Sequence, residues 1–359
     1  MIKVLVTGVG GPTPRSFVRA IKWFAKEMAS QFEFIGVDCN PLAYGLYEKD
    51  LFTQSFVVPR AESKNYWPVI NAIIEQNNID GAVILPEVEV IEWAKNAATQ
   101  LSKKIKLHLP DANLAAQIVN KHTLHQLLHH SSAIPKYHLI NPTNYNYAAL
   151  QQQVGNVFWV RSTEGSSGLG SLKITNEKAL EQWIAINPGV TEFIASEFLP
   201  GRNMACKLLY FNNKLISTAC AERVNYIMAK VAPSGITGNT SFGRLLNEPA
   251  LVQTSIQAIE TIASNIGTTL NGIFTVDYKE AANGQPKITE INIRHVAFTS
   301  SIAAGGANLP ADTLNAMFLQ NPDAIATKHY QFNDNLIFVR DVDGYPIVMK
   351  EADLFKPIL

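Results

Sequence analysis

The stretch Gly272–Arg294, GIFTVDYKEAANGQPKITEINIR, decides how the rest of the chain is read. Two runs of β-forming residues flank Asn283-Gly284, the strongest short-range signal for a hairpin. With a two-residue turn there, Ala282 faces Gln285. Counting outward then sets Asp277 opposite Glu290 and Thr275 opposite Asn292. Side chains alternate along a strand, so Asp277, Glu290 and Asn292 share one face, and Arg294 continues it. The other face carries Phe274, Val276, Ile291 and Ile293, a core face. Like charges opposed across a sheet repel. Two carboxylates and an amide set this close call for a cation, and three oxygen donors suit magnesium better than zinc. Magnesium held by one or two carboxylates usually also holds substrate phosphates, so the face reads as a magnesium–nucleotide site. The plainer alternative is an exposed hairpin whose charges face water. The small-residue run TSSIAAGGANLP at 299–310 permits close backbone approach behind it.

A chain of 359 residues is too long for one small core and implies two or three domains. Its 47% apolar and 17% charged content is that of a soluble enzyme, and its formal net charge is zero, which disfavours a nucleic-acid partner. Cys39, Cys206 and Cys220 lack paired spacing, so no disulfide framework is expected and a reducing, cytoplasmic location is. The first residues enter a strand, KVLVTG, without a signal-peptide pattern, and no apolar run is long enough to span a membrane.

Strand and helix alternate over residues 1–110. IKVLVTG, FEFIGVD and GAVILP read as buried strands, with helices over Arg15–Ala29, Tyr66–Gln76 and through Glu92 and Trp93. That pattern gives a parallel sheet whose ligands gather beyond the strands' carboxyl ends, here at Gly8-Val9-Gly10-Gly11, Asp38 and Pro86-Glu87. Residues 111–140 read as a helical linker. Residues 141–204 form a small α/β unit: VFWVRS, a glycine–serine loop, LKI, a helix over Glu177–Ile186, and EFIASEFLPG. Residues 205–359 are antiparallel in character, with a turn at Asn212-Asn213, a helix near 250–266, the hairpin above and a second hairpin around Val342–Tyr345. The expected class is α/β (α+β).

Several motifs invite chemistry. The loop Thr163–Gly170 can close over phosphates with its exposed amides, and Arg161 just before it matches phosphate geometry. It lacks the Gly-Lys-Ser/Thr of a Walker loop, and its plain reading is a strand connection. The first loop, Thr7–Pro14, with Asp38 at the next strand's end, imitates a dinucleotide fingerprint. Tyr226 and Lys230 stand four apart, as in short-chain dehydrogenases. An NAD(P)-dependent reductase is therefore an alternative, weakened by Pro14 in place of the third glycine. His122, His125 and His129 share a helix face that could bind metal but is more simply a solvent-side stripe.

Taken together these segments resemble the ATP-grasp superfamily, in the branch similar to the carbamoyl phosphate synthetase large subunit. The likeness runs over nearly the whole chain: VTGVGGPTPRSFVRAIK, VDCNPLAYGLY and VILPEVE in the first unit, Asn120-Lys121 and IPKY in the linker, SEFLPG, and the hairpin. The resemblance implies an N-terminal Rossmann-like pre-ATP-grasp domain (1–110), the linker (111–140), a lid subdomain (141–204) and a C-terminal subdomain with the metal hairpin (205–359). It implies that Lys121, Arg161, Ser166, Ser167 and Gly168 meet ATP phosphate and that Glu197, Phe198 and Leu199 hold adenine. Asp277, Glu290 and Asn292 would bind Mg²⁺ (two ions, with Mn²⁺ able to substitute), and Arg294 would be the catalytic arginine. The family pattern puts Pro where Ile293 stands, a ribose-binding Glu where Asn203 stands, and Asp at Lys207; Asn203 retains a hydrogen-bonding group for ribose. The activity implied is an ATP-dependent carboxylate–amine ligase working through an acyl phosphate and releasing ADP and phosphate. Its partners are small carboxylates and amines, and a homodimer is open. Arg223 and Lys230, in the variable segment Arg223–Arg244, are candidates to hold a substrate carboxylate. A non-catalytic nucleotide-binding relative is a further alternative, motivated by Asn203.

Overall fold

A computed structural model describes residues 1–165, 171–341, 344 and 347–353. Among them three sheets form. The first is parallel: β1 (Ile2–Thr7), β2 (Phe32–Asp38), β3 (Gln54–Val57), β4 (Gly81–Val83) and β5 (Lys106–Leu107), in the order β3-β2-β1-β4-β5. The order reverses between β1 and β4, so a crevice opens at their carboxyl ends. Gly8 leaves β1 there, and the helix Glu87–Gln100 starts just beyond β4. The first helix runs Pro12–Phe24, not Arg15–Ala29. It begins early because Pro12 stands in the opening turn, where no amide hydrogen is required. It ends at Ala25, and Lys26–Ala29 is a separate turn of helix.

The second sheet is antiparallel: β6 (Tyr137–Ile140), β7 (Phe158–Ser162), β8 (Leu172–Ile174) and β9 (Phe193–Glu197), in the order β6-β9-β7-β8. Helices Tyr147–Val154 and Glu177–Ile186 cover one face, packing Leu150, Val154, Leu180 and Trp183 on Phe158, Val160 and Phe193. The stretch expected as a helical linker holds helices Ala112–Ile118 and Lys121–Leu127, but its last four residues are β6. The helical part ends at Leu127, with Leu128 as its cap, well before Pro135.

The third sheet holds β10 (Asn203–Phe211), β11 (Lys214–Tyr226), β12 (Thr240–Leu246), β13 (Gly272–Glu280), β14 (Pro286–Asn292), β15 (Lys328–His329), β16 (Leu336–Val339) and β17 (Ile347–Lys350). The path is β14-β13-β10-β11-β12-β16-β17, with β15 beside β11. Asn212 and Asn213 both have positive φ, 47° and 66°, the backbone that a two-residue hairpin turn demands. The helix Pro249–Ile266 lays Leu251, Ala258, Ile259 and Ile262 on the back of this sheet, in one core with Cys206, Leu208, Phe274, Val276 and Ile291. β16 and β17 form the second hairpin, but most of its turn lies outside the described residues.

The decisive hairpin reaches the expected pairing by another route. Asp277 does lie opposite Glu290, Val276 opposite Ile291 and Thr275 opposite Asn292. The turn, however, has three residues rather than two. Ala281 and Gln285 close it, the Gly284 amide donates to the Ala281 carbonyl, and Gly284 takes φ 81°. This is the loop in which a glycine in the left-handed region completes the turn. Tyr278 therefore pairs with Ile288, one residue out of the expected register, and a β-bulge at Thr289 restores it. Thr289 Oγ1 donates to the Asp277 carbonyl at 3.1 Å, which pins the bulge. Without the bulge Glu290 would turn into the core.

Candidate functional site

Asp277 and Thr275 on β13, and Glu290 and Asn292 on β14, project from one face of the third sheet. The helix Pro249–Ile266 covers the other face. Asn292 Nδ2 donates to Asp277 Oδ2 at 3.0 Å and lies 3.5 Å from Glu290 Oε1. An N–H thus sits where a cation would be, between two carboxylates. Turning the amide over would present Oδ1 at the same point. Two carboxylates and one amide oxygen converging this way fit a magnesium ion. Burial pushes the Asp277 carboxyl up to about 7, against the pull of Arg223 and with the push of Glu290. Burial opposes ionisation of Glu290 too, yet Lys121, Arg161 and Arg223 together hold it below the usual carboxylate range.

Basic side chains ring this cluster. Arg161, at the end of β7, donates from Nη2 to the Thr289 carbonyl at 2.9 Å and brings Nη1 within 3.9 Å of Glu290. Its Nε is buried without a partner. Lys121 opens its helix after Asn120, whose side chain caps the Thr123 amide, and its ammonium donates to the Gly165 carbonyl at 2.7 Å. Burial lowers the pKa of both basic groups, while Glu290 raises it. Ser166, Ser167 and Gly168 lie outside the described residues. Arg294 donates to the neighbouring His295 carbonyl at 3.1 Å and leaves Nε buried without a partner.

The segment joining β9 to β10 forms a further wall. Glu197 Oε1 accepts from the Lys136 amide at 2.8 Å, and the Glu197 amide donates to the Lys136 carbonyl, so this side chain fastens the connection to the residue before β6. Leu199 is buried and Phe198 half-buried, with the Lys173 ammonium 4.1 Å from the Phe198 ring centre. Arg202 is paired with Glu280 at 2.9 Å, which ties this segment to the hairpin. Asn203 begins β10.

A single cavity of about 1750 Å³ is lined by Lys121, Arg161, Glu197, Phe198, Leu199, Asn203, Arg223, Lys230, Asp277, Glu290, Asn292 and Arg294. These are all of the described residues that sequence reading put forward for the site. Sequence reading placed Glu87 only at a strand end where ligands gather and missed Lys173 and Lys279; all three line the same cavity. Burial raises the Glu87 carboxyl, while Arg294 and Lys121 pull it down. Lys173 could have been found from the alternation in Leu172-Lys173-Ile174, which sets its side chain opposite the buried Ile174. Lys207, fully buried on β10, has no hydrogen-bond partner for Nζ, and burial pushes its ammonium down to about 7.

Arg223 lines the cavity and is paired with Asp277 at 3.3 Å. The dehydrogenase-like features do not assemble. Tyr226 ends β11 under the Arg223 guanidinium, and Lys230 stands in a short 3₁₀ turn, so their spacing of four brings no helical neighbourhood. Asp38 accepts from the Gly10 amide on Oδ2 and from the Asn40 amide on Oδ1, so its carboxylate ties the two strand-end loops together. Gly8 takes φ 67° and packs so closely against Pro86 that a Cβ there would clash. His125 is buried against Tyr137 with neither ring nitrogen bonded, and among the described residues no three histidine, cysteine or acidic side chains are grouped to hold a metal.

By sequence, the family described as PylC-like, N-terminal domain matches residues 4–107. No curated protein matches the chain. Among solved structures, the chain is similar to N5-carboxyaminoimidazole synthetase from Staphylococcus aureus complexed with ADP. The TM-score is 0.70 at 12% identity, over 94% of this chain and 82% of that one. It is also similar to the biotin carboxylase of Campylobacter jejuni in complex with β,γ-ATP, with TM-score 0.65, 16% identity and coverage of 95% and 76%. A third likeness is to the L-amino acid ligase of Bacillus licheniformis, with TM-score 0.62, 13% identity and coverage of 94% and 79%. The chain has the ATP-grasp fold. The cavity is lined by residues from the second and third sheets and from the ends of the parallel one. No helix among the described residues is long and apolar enough to cross a membrane.

Proposed function

We propose that the protein is an ATP-dependent carboxylate–amine ligase. The observation that carries this reading is the convergence of the acid cluster, Lys121 and Arg161, the Glu197–Leu199 segment and Arg294 on one cavity. In this reading Phe198 and Leu199 flank adenine, the backbone of 197–199 reads its edge, and Asn203 hydrogen-bonds the ribose. Lys121 and Arg161 hold the phosphates with fixed positive charge. Asp277, Glu290 and Asn292 hold magnesium, which when bound neutralises charge on the phosphate oxygens. A substrate carboxylate oxygen attacks the γ-phosphorus and ADP leaves. An amine nitrogen then attacks the acyl carbon, the C–O bond to phosphate breaks, and the departing phosphate takes up the proton that the nitrogen loses. Arg294 faces the oxyanion that develops on the acyl carbon and stabilises it. The unpaired carboxylate of Glu87 suits the ammonium end of the acceptor, and Lys230 at the rim suits a carboxylate. No protein nucleophile is needed.

Calorimetric titration of Mg-ATP and, separately, of NADPH into wild type and Glu290→Gln tests the reading. Mg-dependent ATP binding that is lost in the variant is expected, with ADP release on addition of a carboxylate and an amine. NADPH binding without ATP binding would overturn it.

A further inference from the structure

The cavity extends from the acid cluster along the helix Glu87–Gln100, four of whose residues, Glu87, Val88, Ile91 and Lys95, line it. Positions four apart are neighbours on a helix surface, so Glu87, Ile91 and Lys95 form one row. Ala116 on the helix Ala112–Ile118, and Val119 at its end, line the same stretch. The other sides of the two helices are buried together. Val90, Trp93 and Ala97 of the first share a core with Leu114, Ala115 and Ile118 of the second. The row is thus the side of its helix that the core leaves uncovered, and the apolar Val88 is exposed beside it.

The two ends of the row carry opposite charges. Burial raises the Glu87 carboxyl, and the charges that act on it are Arg294, Glu290 and Lys121, so this end adjoins the acid cluster. Among the described residues Glu87 and Lys95 have no ion-pair partner. Between them Val88, Ile91, Ala116 and Val119 offer no side-chain hydrogen-bonding group. Lys95 stands eight positions after Glu87, about 12 Å along the helix. An α-amino acid, whose amine and carboxylate share one carbon, does not reach both ends. A second ammonium at the far end would meet Lys95 with no acid beside it, since Glu87 is the only acid these two helices contribute to the cavity among the described residues. A single lysine suits a monoanion, which favours a carboxylate.

We propose that the amine substrate is an ω-amino carboxylate: an amine on an unbranched apolar arm whose far end is a carboxylate. The amine lies at Glu87, the arm along Val88, Ile91, Ala116 and Val119, and the carboxylate at Lys95. This deepens the ligase reading above and rests on it. Lys230 is left to the other substrate.

The test is calorimetric titration of straight-chain ω-amino carboxylates of increasing length into the full chain saturated with Mg²⁺ and a non-hydrolysable ATP analogue. Alkylamines, α-amino acids and α,ω-diamino carboxylates are titrated alongside. Affinity is expected to pass through a maximum with chain length. At that length the ω-amino carboxylate is expected to bind about fivefold more tightly than the alkylamine, as for one exposed ion pair, and this advantage is expected to shrink with added salt. Lys95→Met is expected to abolish the advantage while leaving alkylamine and analogue binding unchanged, and Glu87→Gln to weaken both amine series. No binding of any ω-amino carboxylate, equal binding of the two series to wild type, an equal loss of both in Lys95→Met, or tighter binding of the α-amino or diamino acids would overturn the proposal and leave the ligase reading standing. An analogue that fails to bind would overturn both.

Discussion

Glu89 shows what burial does to a single residue in this chain. Its carboxyl lies at the carboxyl edge of the parallel sheet and is pushed up to about 7, mainly by burial, while hydrogen bonds from Thr7 and Tyr66 pull it down. The folded value lies above the unfolded one of 4.5. The stabilising neutral form is therefore fully present below pH 4.5, and its contribution is lost as pH rises toward 7. Glu89→Gln is expected to raise the melting temperature at pH 8 and leave it near wild type at pH 4. The difference is on the order of 3 kcal/mol, measurable in a melting series across pH. An equal gain at both pH values would mean that packing, not charge, is responsible. At this scale the acid cluster and Arg294 were legible from hairpin register, Arg161 from its place before the glycine loop, and Lys121 from resemblance. Arg223 was legible only as a cation. Its partner Asp277 comes from another strand, 54 positions on, and no spacing rule carries that information. Glu87 was legible only as a strand-end position where ligands gather, with no partner to give it a role.

The hairpin between β13 and β14 sets Glu290 by two departures from regularity that cancel, a three-residue turn and a one-residue bulge. Alternation of apolar residues identified the two strands and their core face, because burial repeats every second residue. It did not identify the turn type, since Asn-Gly serves both lengths of loop. Gly284→Val separates the two functions of this element. A β-branched residue at φ 81° costs about 1–2 kcal/mol even though nothing lies within 4 Å of its Cβ. The expected result is a lower melting temperature with Mg-ATP affinity retained, because the bulge at Thr289 lies between the turn and the acid cluster. Equal loss of affinity and stability, by calorimetry and thermal melts, would show that the turn itself sets the register.

Across the whole molecule, the cavity draws on all three sheets: Gly8 and Glu87 from the first, Arg161 and Lys173 from the second, and Asn203, Asp277 and Glu290 from the third. A ligand seated there ties the sheets together. Saturating Mg-ATP analogue is expected to stabilise the fold by about 2.7 kcal/mol at a hundredfold excess over Kd. Hydrogen exchange is expected to slow most in β7, β8 and the segment after β9, where the nucleotide would cross from one sheet to the other. Protection confined to the parallel sheet would place the ligand elsewhere. The sequence by itself determined the parallel first unit, the antiparallel remainder and the shared face of Asp277, Glu290 and Asn292, because these depend on periodicities of two and 3.6 residues that each segment carries locally. Only the tertiary structure decided that Arg223 pairs with Asp277 and that Asp38 ties two strand-end loops together. It also decided that Glu87 and Arg294 line one cavity. Those relations depend on which strands lie side by side and how deeply each charge is buried, and neither is encoded in the spacing of residues along the chain.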